Sequence, residues 1–214
     1  MITFVLGGAR SGKSALAERL AAASARGGSR VVENRSSVTY VATMIVGDDA
    51  VLAERVAAHR ARRPPDWATV EAGADLPDVI ETLSGTVLLD SLGPWIAAQP
   101  DFVVDADALC AALAGRSGDT IVVSDEVGLG VYPATDLGGA FRDALGTLNQ
   151  AVAAIADRVL LTVAGRVVTL DRPPDRWCCK RCRSSRSSAA ARPPARGRCR
   201  TSRSSGPSSA SPSD

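Results

Sequence analysis

The sequence predicts an α/β fold, a mostly parallel sheet with helices on both faces. Three observations carry that prediction. Short apolar, partly β-branched runs alternate with helix-forming segments through the first 171 residues. A glycine-rich turn, Gly7-Gly8-Ala9-Arg10-Ser11-Gly12-Lys13-Ser14, joins the first such run to the first helical segment. From Arg172 onward the composition turns to Arg, Ser, Pro and Ala, and the alternation stops.

The glycine-rich turn fits G-x-x-x-x-G-K-[ST], the phosphate-binding P-loop, and stands in the right context. Ile2 to Leu6 reads as a buried strand before it, and Ala15 to Ala23 is built of strong helix formers after it. Glycines let a backbone wrap a phosphate with its N–H groups inward, and a helix N-terminus adds partial positive charge. Lys13 is placed to reach the β- and γ-phosphates of a nucleoside triphosphate, and the Ser14 hydroxyl to hold magnesium. Arginine is the usual cation of residues 1–171, where Lys13 is the sole lysine. That exception suits a position needing a compact ammonium.

The remaining elements follow in order. The first helix covers residues 15–26 and ends near Gly27-Gly28, and polar Ser29 to Ser37 is an exposed loop. Val38 to Thr43 is the second strand, whose end lies near the P-loop in a parallel sheet. Asp48 to Arg63 has helical periodicity and is stopped by Pro64-Pro65. Trp67 to Glu71 is a short extended segment, and Asp75 to Leu83 a further helix closed by Ser84-Gly85. Thr86 to Asp90 is an apolar strand ending in a carboxylate. That carboxylate either helps hold magnesium or caps the next segment, and the P-loop upstream favours the metal role. Asp105 to Ala114 is helical. Thr120 to Ser124 is a strand followed by Asp125-Glu126-Val127-Gly128-Leu129-Gly130, carboxylates and glycines again at a strand's end. Phe141 to Ala156 is a long helix with Leu145, Leu148, Val152 and Ile155 on one stripe. Arg158 to Val163 and Arg166 to Leu170 are strands turned about Gly165.

Composition narrows the function classes. Residues 172–214 hold eleven Arg or Lys against two Asp, a net of +9, leaving −7 for residues 1–171 of the +2 total. The expected organisation is therefore an acidic nucleotide-binding domain, 1–171, and a basic, disordered tail, 172–214. Such a tail touches nucleic acid only without specificity. Cys179 and Cys182 have zinc-ligand spacing, but one C-x-x-C pair with Cys178 and Cys199 nearby and no histidine is a weak metal signal. No apolar run reaches the roughly 18 residues of a spanning helix, so no membrane insertion is expected. Cys110 is alone in the body, which fits a reducing cytoplasm.

His59 is the one histidine of the chain, followed by Arg60-Ala61-Arg62-Arg63-Pro64. A single histidine is commonly a surface or satisfied helical residue. Beside three guanidiniums, which bind triphosphate oxygens, it is also a candidate nucleophile toward phosphorus.

Taken together, these segments resemble the bifunctional adenosylcobinamide kinase / adenosylcobinamide-phosphate guanylyltransferase family of cobalamin biosynthesis. The resemblance rests on Gly7 to Ser14, Tyr40-Val41-Ala42-Thr43, Arg55-Val56-Ala57-Ala58-His59, Arg63-Pro64 and Trp67 to Glu71. It continues through Leu88-Leu89-Asp90, Val123 to Pro133, Phe141-Arg142-Asp143 and Leu148-Asn149-Gln150, covering about positions 1–170. It implies a RecA-like P-loop fold that forms oligomers, trimers among them. It also implies two reactions, phosphorylation of adenosylcobinamide by ATP or GTP, and transfer of GMP from GTP to adenosylcobinamide phosphate through a histidine-bound GMP. The guanylylated histidine falls on His59. The nucleotide-binding positions fall on Gly7, Gly8, Ala9, Arg10, Ser11, Gly12, Lys13, Ser14, Ala42, Thr43, Arg60, Ala61, Arg62, Arg63, Glu71 and Asp90. Magnesium falls to Ser14 and Asp90. Some members carry two adjacent histidines where this chain has Ala58-His59, and the basic tail extends beyond the usual end of the family.

Two other readings use the same residues differently. One is a P-loop small-molecule kinase in which His59 is incidental, the other a nucleotide-regulated module that docks nucleic acid through its tail. In the bifunctional reading, position and charge make either Glu126 or Asp125 a candidate base on the cobinamide hydroxyl.

Overall fold

The computed structural model describes residues 1–27, 38–44, 60–61 and 63–172. The loop expected over 29–37, most of the helix expected over 48–63 (with His59 and Arg62), and the tail beyond Arg172 lie outside the described residues.

Seven strands form one sheet among the described residues, in the order β3-β2-β4-β5-β1-β6-β7. They are β1 (Ile2–Gly7), β2 (Val38–Ala42), β3 (Ala68–Glu71), β4 (Thr86–Asp90), β5 (Thr120–Asp125), β6 (Arg158–Val163) and β7 (Arg166–Leu170). Every pairing is parallel except β6 with β7, which turn back on each other through Ala164 and Gly165. Gly165 has φ of 74°, a left-handed conformation that glycine adopts without steric cost. The mostly parallel α/β fold expected from the sequence is the fold observed.

Strand alternation divides the core in two. Phe4, Val41, Val87, Leu89 and Val122 face one side, where they pack under α2 (Leu76–Thr82), α3 (Leu92–Ala97), α4 (Ala106–Gly115) and α5 (Asp136–Ile155). Val5, Tyr40, Leu88, Ile121, Val123 and Leu160 face the other, beneath α1 (Lys13–Gly27). Ala17 and Ala21 are fully buried there, and such small side chains let the helix lie close to the strands. No helix among the described residues is long and apolar enough to cross a membrane.

Two helices differ from expectation. α5 begins at Asp136, five residues ahead of Phe141, because the Thr135 side chain accepts the Gly138 N–H at 3.1 Å. That cap compensates for the glycines at 138 and 139, which lower local helix propensity. Leu92–Ala97 forms α3 where no helix was expected. Its Leu92, Trp95 and Ile96 are buried against the sheet, so packing overrides a short, glycine- and proline-bearing segment.

Candidate nucleotide site at the strand ends

The carboxyl ends of β1, β2, β4 and β5 open on one side of the sheet, and the loop after β1 lies across them. Its shape follows from three residues. A Cβ on Gly7 would collide with Ser11 Oγ and the Thr162 carbonyl. Arg10 has φ of 56° and Gly12 φ of 95°, which turns the backbone sharply into α1. The loop is braced by Ser11 N–H donating to the Gly8 carbonyl at 3.2 Å. It is also braced from the β6–β7 turn, where Gly165 N–H donates to the Ser11 carbonyl at 2.9 Å. No acidic residue occupies the first turn of α1, so its positive end is left for an anion.

A cavity of about 190 Å³ lies against this loop. Lys13 and Ser14 line it from α1, Ala42 from β2, Glu71 from β3 and Asp90 from β4, joined by Arg60 and Arg63. Seven of the residues expected from the sequence therefore meet in one place. Thr43 does not line this cavity. It is buried, and its hydroxyl donates to the Ser91 carbonyl at 2.5 Å and accepts the Ser91 N–H at 3.2 Å, locking the ends of β2 and β4 together. Ala61 is exposed beside Arg60 and does not line the cavity. The P-loop residues before Lys13 shape the turn rather than line the cavity.

Sequence analysis gave Tyr40 no role in the site. Tyr40, two residues before Ala42 on the same strand face, donates its hydroxyl to Asp90 Oδ2 at 3.0 Å. The Arg63 guanidinium sits 3.4 Å above the Tyr40 ring and donates to Thr69 Oγ1 at 3.3 Å, so it is held in place by stacking and a hydrogen bond. Burial, reinforced by the Asp90 carboxylate, holds the Tyr40 hydroxyl well above the ordinary tyrosine range, while Arg63 pulls the other way. Tyr40 thus remains a donor to Asp90. The period-two alternation of β2 was the signal for Tyr40, but the sequence did not say what it faced.

Asp125, one of the two carboxylates expected as a base, lines the cavity. Lys13 Nζ lies 2.7 Å from its Oδ1 and 3.4 Å from the Gly8 carbonyl. Glu126, expected as an equal alternative, is turned elsewhere: its Oε1 accepts the Gly128 N–H at 2.7 Å and its Oε2 the Leu129 N–H at 3.0 Å. Arg60 and Glu71 are 3.8 Å apart and both mostly exposed, an ion pair of little energetic weight.

The donor set suits magnesium. Among the described residues no group of three or more His, Cys, Asp or Glu stands at metal-binding spacing. Ser14 and Asp90 instead offer a hydroxyl and a carboxylate in one cavity. Hard oxygen donors few in number, completed by substrate phosphates and water, are how Mg²⁺ is held at phosphoryl-transfer sites.

Residues 3–170 match the family model described as cobinamide kinase / cobinamide phosphate guanyltransferase. The chain is 39% identical over 183 residues to the bifunctional adenosylcobalamin biosynthesis protein CobP of Pseudomonas aeruginosa, covering 81% of this chain and 99% of that one. It is 33% identical over 187 residues to the bifunctional adenosylcobalamin biosynthesis protein CobU of Escherichia coli and, separately, to that of Salmonella typhimurium, each covering 77% of this chain and 97% of the relative. A P-loop opening on Lys13, Arg60, Arg63 and Asp90 is thus set in a chain that matches these relatives over almost their whole length. The chain belongs to the cobinamide kinase / cobinamide phosphate guanyltransferase family.

Proposed function

We propose that the chain catalyses both transfers of its family. It phosphorylates adenosylcobinamide from ATP or GTP, and it then passes GMP from GTP to adenosylcobinamide phosphate, giving adenosylcobinamide-GDP. The observation that carries this reading is the meeting of Lys13, Ser14, Arg60, Arg63 and Asp90 in one cavity beside the P-loop. A triphosphate needs such a convergence of cations and donors, and a generic surface patch does not supply it.

In this reading the loop N–H groups between Gly8 and Ser14, apart from that of Ser11, and the N-terminus of α1 hold the terminal phosphates. Lys13 exchanges Asp125 for phosphate oxygens and neutralises charge as it moves onto the leaving group. Ser14 and Asp90 would hold Mg²⁺, which supplies further neutralisation of the phosphates when bound. Tyr40 keeps the Asp90 carboxylate oriented for that duty. Arg63, braced on Tyr40 and Thr69, and Arg60 face the cavity with guanidiniums suited to phosphate oxygens.

For the second transfer, His59, which directly precedes Arg60, attacks the α-phosphorus of GTP. The bond from that phosphorus to the bridging oxygen breaks and pyrophosphate leaves. A phosphate oxygen of adenosylcobinamide phosphate then attacks the same phosphorus, the N–P bond breaks, and the imidazole is restored. The covalent intermediate divides one transfer between two anions into two easier steps. A homo-oligomer, trimeric by family likeness, belongs to the same reading. β7, exposed along all five residues at the sheet's edge, is a surface available for it.

Exposure to GTP labelled at the α-phosphate tests the reading. Expected is one added GMP by intact mass, as an acid-labile and alkali-stable bond that is absent in His59→Ala, while that variant retains kinase activity. GTP turnover with no covalent label, or equal loss of both activities in His59→Ala, overturns it.

A further inference from the structure

We propose that Asp125 is the general base of the phosphoryl transfer, taking the proton of the acceptor hydroxyl at the point where two cavities meet. The inference rests on the two-transfer reading above and adds the residue that reading leaves open.

The cavity beside the P-loop borders an open groove of about 480 Å³. The groove runs along α3 and is walled by Gly93, Pro94, Ala97 and Ala98 on one side and by Phe141 of α5 on the other. Phe141 is itself steadied edge-on against Phe102, with ring centroids 5.6 Å apart. Met44, Pro94 and Asp125 line both spaces, and Asp125 is the one titratable group among the groove's lining residues. A triphosphate in the first cavity and a hydroxyl-bearing arm entering by the second would therefore meet at this carboxylate.

The other carboxylates are less suited to the task. Asp90 and Glu71 line the nucleotide cavity but not the groove, and Asp90 is engaged by Tyr40. Glu126 spends both oxygens on the backbone of its own loop. Asp125 has a partner that a nucleotide would remove, since Lys13 is the group a γ-phosphate draws toward itself. Binding of the nucleotide thereby releases the carboxylate for the acceptor. Its backbone stays fixed meanwhile, with Gly7 as register partner on β1 and its carbonyl accepting the Asn149 side-chain amide at 2.9 Å. Gly93 gives it room: a Cβ there would lie 2.8 Å from Asp125 Oδ2.

The step balances. Asp125 takes the hydroxyl proton, the acceptor oxygen bonds to the γ-phosphorus, and the bond from that phosphorus to the bridging oxygen breaks. The nucleoside diphosphate leaves with the electron pair, its charge met by Lys13. The proton passes from Asp125 to water through the open groove.

The test uses the full chain as Asp125→Asn, with three readouts: phosphorylation of adenosylcobinamide by ATP, ATP affinity by calorimetry, and GMP addition from GTP by intact mass. Expected is a fall in kinase kcat of about 10²–10⁴-fold, the range for a lost general base. ATP affinity and GMP addition stay within about threefold, and Glu126→Gln loses less than tenfold of kinase kcat. Gly93→Ala, which displaces the same carboxylate without removing it, lowers kinase kcat about tenfold or more and spares GMP addition. Kinase kcat within tenfold of wild type in Asp125→Asn overturns the assignment. So does a parallel loss of ATP affinity and GMP addition, which means the carboxylate only seats Lys13. Should the wild type fail to phosphorylate adenosylcobinamide, the two-transfer reading falls, and slow ATP hydrolysis still decides the role of Asp125. Water then stands for the acceptor, and Asp125→Asn must slow it to the same degree.

Discussion

β4 and β5 run side by side and each ends in an aspartate, yet the two ends are built differently. At β4, Tyr40 holds the Asp90 carboxylate while Thr43 clasps both backbone groups of Ser91, so the turn leaving the strand is stitched to β2 at two points. At β5, the fixed parts are backbone, and the Asp125 side chain pairs with a lysine whose Nζ is shared with the Gly8 carbonyl. In the proposed mechanism the difference separates two tasks. A carboxylate that helps carry an ion must not move, and one that trades a lysine for a proton must be free to. Neighbouring strands of one sheet differ in this way because the restraint lies in side chains at and near the strand ends, not in the sheet.

Removing the exchangeable partner should have the largest effect. Lys13→Ala leaves the strand ends intact but takes away the cation that meets charge on the leaving group. Both transfers should fall about 10²–10³-fold in kcat, as when one preorganised donor is lost from a transition state. The urea midpoint should scarcely move, because the Lys13–Asp125 pair is partly open to water (14% and 34% side-chain exposure) and contributes about 0–1 kcal/mol. A large loss of stability would show that the β5 end is as rigidly built as β4 and erase the contrast.

Cutting the stitch at β4 should be read in stability first. Thr43→Val keeps shape and volume nearly unchanged but strands the Ser91 N–H and carbonyl, both in a buried setting. Leaving buried polar groups without partners costs about 1–3 kcal/mol, measurable by urea denaturation at constant m-value. No change would mean that strand pairing and the Tyr40–Asp90 bond hold the two ends without the Thr43 hydroxyl.

The contrast also explains what was legible in the sequence. The P-loop, the alternation of strands and helices, and the carboxylate closing Thr86 to Asp90 are local patterns, and each survived in the fold. Glu71 and Asp90 reached the same cavity as Lys13 because they sit at the carboxyl ends of parallel strands, whereas Arg60 and Arg63 reach it through side chains lying against Glu71, Tyr40 and Thr69. What the sequence could not separate was Asp125 from Glu126. They are adjacent, equally acidic, and differ only in what their side chains find: a lysine for one, the N–H groups of Gly128 and Leu129 for the other. α3 escaped for a related reason, since its six residues are helical by virtue of what Leu92, Trp95 and Ile96 bury. Tertiary partners decided both cases, and tertiary partners leave no periodic mark.

The finest test of the comparison concerns one hydroxyl. Tyr40→Phe removes the donor to Asp90 and keeps the ring on which Arg63 stacks. At neutral pH it should cost about 1 kcal/mol, one hydrogen bond's net worth. The sign of its pH dependence is set by Tyr40 itself. Burial and the Asp90 carboxylate raise its folded-state pKa above the unfolded value of about 10, so its contribution is complete below that pH. As pH rises through 10 the unfolded state begins to release this proton while the folded state retains it, and wild-type stability falls. Tyr40→Phe has no such proton to lose. The gap between the two proteins, followed by urea melts from pH 8 to pH 11, should therefore narrow above about pH 10. A gap that stays constant across that range would mean that Tyr40 titrates alike in both states. The Asp90 end of β4 would then be no more tightly held than Asp125.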